Sequence, residues 1–154
     1  MNDIFEDLDR LEPLSQELNA ASNDVNEIIA RVEARLKQLN LGVEAEVDLL
    51  IGQDEDFVNG KRQLTWRITT ISYAKGEAGW ALYTRVNFYP DNNGEPDSEH
   101  PDSLGEQTPL RFAPRELRML ALEGISELVE VLEKKAAERL ARIKFAKEAL
   151  KKLR

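Results

Sequence analysis

Apolar residues at Leu14, Leu18, Ala21, Val25, Ile28 and Val32 recur at spacings of four and three, the seam of a helix that meets another along one stripe. The seam falters at Arg35, recovers at Leu36 and Leu39, and meets a stop at Gly42, so a helix is predicted over 14–41. Ile4, Leu8 and Leu11 predict a short arm over 1–13. Pro13 is expected to turn that arm away from the main helix, because proline lacks the N–H and crowds the carbonyl four residues before it.

The period then changes to two. In VEAEVDLLI, residues 43–51, Val43, Ala45, Val47, Leu49 and Ile51 alternate with Glu44, Glu46 and Asp48, the pattern of a half-buried strand. Residues 63–74 and 79–89 are rich in Thr, Ile, Trp, Tyr and Val and flank a short turn around Gly76. The economical assignment is a three-stranded antiparallel sheet over 43–89, its first connection being the longer acidic stretch GQDEDFVNGKR. In the second strand the apolar set shifts from Leu64, Trp66 and Ile68 to Ile71 and Tyr73, which predicts a bulge near Thr69 or Thr70.

Residues 90–109 hold four prolines, two glycines, six acids and no Lys or Arg, and are expected to form a mobile acidic loop. Pro114 opens a second helix predicted over 114–154, apolar on most sides at first and narrowing to Ala136, Leu140, Ile143 and Leu150. Strands of about ten residues reach only ~30–35 Å and cannot cover helices of about 40 and 60 Å. The helices are therefore expected to cover each other as a coiled coil, within one chain as an antiparallel pair or between two copies. The fold class is α+β, helix-strand-strand-strand-helix, in one domain spanning 1–154.

The inventory of 154 residues removes several chemistries. With no cysteine there is no disulfide scaffold, thiolate metal site or thiol nucleophile, and the single histidine, His100, stands in the loop without a triad around it. No run free of charged residues exceeds seven, and the acidic start MNDIFEDLDR is the reverse of a signal peptide, so a cytoplasmic protein is expected, off the membrane. The formal charge of −8 is unevenly placed: residues 134–154 carry nine Lys or Arg against Glu138 and Glu148. The acidic body disfavours nucleic acid, while the basic end either meets an acidic partner or simply complements the helix dipole.

Two classes share this order of elements and are tested by residues. A restriction-type nuclease core needs an Asp on one strand and Glu-x-Lys on the next, yet QLTWRITTISYA has no acid and GWALYTRVNFY neither acid nor lysine. A double-stranded RNA-binding domain places its lysines at the start of the last helix, whereas KKAAERLARIKFAKEAL begins twenty residues into this one. The oxygen-rich run from Asp91 to Asp102 has Pro96 where an EF-hand loop needs Gly, and reads as a solvated acidic loop. No cofactor is called for.

Two arginine sets are candidates for anion binding. Inward placement of the apolar alternation puts Arg67, Tyr83 and Arg85 on the outer face of the sheet, with Arg67 beside Arg85 and Glu46 near Arg67. That arrangement reads either as salt bridging or as an anion or nucleotide platform with Tyr83 or Tyr89 stacking. Arg111, Arg115 and Arg118 stand at a helix N-terminus, where the dipole disfavours cations and favours a bound phosphate or carboxylate. Glu116 or the acidic loop could equally neutralise them. Phe145, among Lys144, Lys147 and Lys151 and opposite Leu140 and Ile143, is either incidental or a partner anchor.

The expected function is a non-enzymatic interaction or assembly protein, a homo-oligomer such as a dimer, that self-associates through its long helices and binds another protein. The alternative is a protein that binds or sequesters a small phosphate-bearing ligand. Small acidic domains of this kind occur among secretion chaperones and viral inhibitors of host defence signalling, an analogy of size and charge alone.

Overall fold

A computed structural model describes residues 3–153; Met1 and Asn2 of the predicted arm and Arg154 of the predicted last helix lie outside them. The fold is α+β. Helix α1 (Ile4–Leu39) is followed by three long strands, β1 (Ala45–Val58), β2 (Lys61–Gly76) and β3 (Gly79–Asn92). Three two-residue strands, β4 (Glu95–Pro96), β5 (Ser103–Leu104) and β6 (Thr108–Pro109), and a 3-10 turn lead into α2 (Arg115–Lys151).

Helix α1 starts where the Asp3 carboxylate accepts the Phe5 N–H, with Glu6 and Asp7 complementing the dipole, and stops at Asn40 in the left-handed conformation. It runs unbroken through Pro13, so the expected separation of an arm at that residue is corrected. The carbonyl four residues earlier, that of Asp9, loses its helical donor, but residues 8–21 are all exposed and water can take that place.

The strands are antiparallel and longer than the alternation predicts, at 14, 16 and 14 residues. The acidic stretch expected to be a loop continues β1 to Val58, and only Asn59 and Gly60 turn the chain, both at positive φ, as a two-residue hairpin requires. A bulge does sit opposite Thr69 and Thr70, but the extra residue belongs to β1: Asp48 pairs with Thr70 and Leu50 with Thr69, leaving Leu49 unpaired. Residues 90–109 are not a structureless loop. They extend β3, turn at Asn93 and Gly94, and return along the free edge of β3, where Leu104 pairs with Asn87 and Thr108 with Thr84.

Both helices cover one face of the sheet. Ala45, Val47, Ile71, Tyr73 and Leu82 pack there against Val25, Ile29 and Leu36 of α1 and Ala121, Leu128 and Leu132 of α2. Contacts between the helices rise in step along both: Arg115 reaches Asn19, Arg118 reaches Asn26, and Arg139 reaches the Gly42 carbonyl just past α1. The helices therefore run parallel, correcting the expected intramolecular antiparallel pair. Between β3 and α2 the chain first returns along the edge of β3 to Pro109 opposite Tyr83, and α2 then starts beside Asn19 and runs with α1.

Candidate functional site

A parallel pair in one chain can be offset at both ends, and here it is. Along α1 the first buried residue is Ser22, and along α2 the last is Leu132, with Ala136 half-buried. Residues 4–18 of α1 and 137–151 of α2 thus project from opposite ends, each about 22 Å long at 1.5 Å per residue.

Neither arm is uniformly polar. Leu11, Leu14 and Leu18 continue, at helical spacing, the stripe that becomes the buried Val25 and Ile29, yet stand more than half exposed. On the other arm Leu140, Ile143 and Leu150 continue the side of α2 that carries Ala136, with exposures of 51, 46 and 64%. The charges around these stripes are opposite: five acids and Arg10 on residues 4–18, five bases with Glu138 and Glu148 on residues 137–151.

The sequence-predicted partner residues Leu140, Ile143, Lys144, Phe145 and Lys151 all lie on the basic arm. Phe145 is 77% exposed, and Lys151 approaches Glu148 at 3.4 Å. The acidic arm was missed as a counterpart, although its stripe was visible, because nothing in the periodicity says which part of a seam another element covers.

The predicted anion set at the start of α2 does not converge. Arg115 donates to Asn19 Oδ1 at 2.7 Å and Arg118 to Asn26 Oδ1, so both clamp α2 to α1 through neutral amides. Arg111 lies over the Phe112 ring, 4.7 Å from its centroid. Among the described residues none of the three forms an ion pair, so neither Glu116 nor the acidic strap of residues 90–109 neutralises them.

On the sheet, Arg67 and Arg85 are not neighbours. Arg67 pairs with Phe88, and Arg85 with Thr70, so the two point to opposite faces. Arg67 meets Asp54 at 3.4 Å, while Glu46, expected beside Arg67, accepts from Arg85 Nη2 at 3.1 Å. Regular pairing of β2 with β3 sets Arg85 opposite Thr70, on the other face from Arg67, and β1 sets Glu46 opposite Ser72, on the face of Arg85. Tyr83 shares the outer face with Arg85 but is buried. Its hydroxyl donates to the Gly79 carbonyl at 2.7 Å and accepts from the Ala78 N–H at 3.1 Å, so it closes a hairpin and offers no stacking surface.

Asp91 accepts from Trp66 Nε1 at 2.9 Å, and His100 lies 3.2 Å from Asp97 on the exposed strap. Among the described residues no helix is long and apolar enough to cross a membrane. Comparison with family models, with curated proteins and with solved structures returned no match to this chain.

Proposed function

We propose that this chain is a non-enzymatic assembly protein whose copies join head to tail, the acidic arm of α1 from one copy lying along the basic arm of α2 from the next as a short parallel coiled coil. The reading rests on one observation: two helical arms of equal length leave opposite ends of the body with uncovered apolar stripes and opposite charge.

The geometry selects the polarity. Each stripe continues a core-facing side, so the missing partner belongs in line with the other helix of the pair. A second α1 beginning where the first one stops supplies it, running parallel to residues 137–151. Run antiparallel, that second α1 would carry its own body into the space held by Leu39, Trp80 and the end of the sheet. Isolated helices of about 15 residues are marginal in water, so mutual burial would also stabilise both arms. A heterologous contact of this kind closes into a ring or extends as an open filament, with a dimer as its first step.

Two blocked variants test the proposal. Leu11→Asp with Leu18→Asp blocks the acidic arm, and Leu140→Asp with Ile143→Asp blocks the basic one. Native mass spectrometry is expected to find each variant monomeric alone and an equimolar mixture at twice the monomer mass, capped there because each partner has one usable arm left. Dimers formed by either variant on its own would show that like arms pair and would overturn the head-to-tail arrangement. An unmodified protein that stays monomeric at every concentration would overturn self-assembly altogether.

A further inference from the structure

At the end of the body where the basic arm departs, α2, the start of β1 and the β2–β3 hairpin border an open cleft of about 550 Å³. Four cations line it, Lys75, Lys135, Arg139 and Arg142, with two carboxylates, Glu44 and Glu138, and the half-buried Trp80. Among the described residues none of these four cations forms an ion pair, although both carboxylates are at hand.

Two of them have neutral partners that hold them in place. Lys135 Nζ donates to the Glu44 carbonyl at 3.0 Å, and Arg139 donates to the Gly42 carbonyl. Each keeps further N–H groups for another acceptor. The Glu44 carboxylate accepts the Lys75 backbone N–H at 3.1 Å. Trp80 is steadied by Tyr73, with ring centroids 5.4 Å apart. Burial first, and then the charge of Glu33, holds the Tyr73 hydroxyl above its ordinary range, so it stays neutral and adds no repulsion.

We infer that this cleft binds a small anion that joins a phosphate group to a planar ring, with a nucleoside diphosphate as the closest chemical fit. The local surplus of two positive charges stands out on a chain whose net charge is −8, and it calls for a ligand with at least two negative charges. Arginine forks suit phosphate oxygens, and an indole suits a heteroaromatic ring. The volume lies in the ordinary range of small-ligand sites, ~300–1,000 Å³. The site adjoins the proposed assembly surface: the cleft side of α2 carries Lys135, Arg139 and Arg142, the last two also among the five bases of the arm, while the uncovered stripe carries Leu140 and Ile143.

Trp66→Phe leaves Trp80 as the lone tryptophan and its emission as the reporter. Titration with ADP is expected to give a saturable change that weakens with added salt, and adenosine none. Arg142→Ala and Lys75→Ala are each expected to weaken ADP binding about tenfold, the usual scale for one hydrogen bond to a charged group. Calorimetry on the unmodified protein repeats the titration without any substitution. No saturable ADP signal in calorimetry, or equal affinity in Arg142→Ala, would overturn the site. Inorganic pyrophosphate binding as tightly as ADP would overturn the part assigned to Trp80.

Discussion

The side chain of the bulged Leu49 fills the space that a Cβ on Gly124 would need: its Cδ2 presses directly on that position, and Ile71 Cγ2 lies 3.4 Å away. The bulge and the glycine are thus one device. The extra residue in β1 drives a leucine toward α2, and the missing side chain on α2 lets the helix come down onto the sheet.

Gly124→Ala is accordingly expected to destabilise the protein, although alanine is the better helix former by ~1 kcal/mol. Overpacking costs about 1–3 kcal/mol, so after the helix gain a net loss of up to about 2 kcal/mol should appear in urea unfolding, smaller the more easily the half-buried Leu49 swings aside. In a double-mutant cycle, Leu49→Ala should absorb part of that loss. Simple additivity of the two changes would show that they do not share this space.

Asp48 supplies a pH test. Asp48 is exposed on β1, but partial desolvation by its neighbours, and secondarily the charge of Glu46, raises its carboxyl above the ordinary value of 3.8, so the folded protein holds this proton more tightly than the unfolded chain does. The group's contribution to stability is then greatest at low pH and falls as pH climbs from 3.8 through the raised folded value. Asp48→Asn should therefore raise the melting midpoint at pH 7, and the gain should shrink on titration toward pH 3.8. A gain of the same size at both ends of that range would assign it to something other than the charge.

The periodicities carried most of the architecture, because each reports a local choice. Spacings of three and four announce α1, and alternation announces the sheet. What they lack is anything non-local. The parity shift in β2 was visible around Thr69 and Thr70, but whether the extra residue sat there or across the ladder depended on pairing, and the answer is Leu49; the β2–β3 register that keeps Arg67 from Arg85 depended on pairing as well. The hairpin at Asn59 and Gly60 was masked by an acidic run that resembles a loop by composition, since exposed strand residues need not be apolar. The basic arm was legible as a charge run with a narrow stripe. The acidic arm and the Trp80 cleft were not, because the one depends on how far α2 reaches and the other on three elements meeting.

Pro13 links the fold to the proposed assembly. It stands in the acidic arm, where it removes one helical hydrogen bond, and proline in an exposed helix interior costs ~3 kcal/mol relative to alanine. The arm is thereby kept easier to unwind than its apolar stripe alone would make it, which in the proposed assembly would limit how tightly two copies hold each other. Pro13→Ala should slow amide exchange at residues 9–16 by one to two orders of magnitude at a concentration where the chain is monomeric. It should also shift the association curve to lower protein concentration, because less ordering remains to be done when the arm docks. Slower exchange without tighter association would place the contact elsewhere than on this arm; a change in neither would mean that Pro13 sets no limit on the helix.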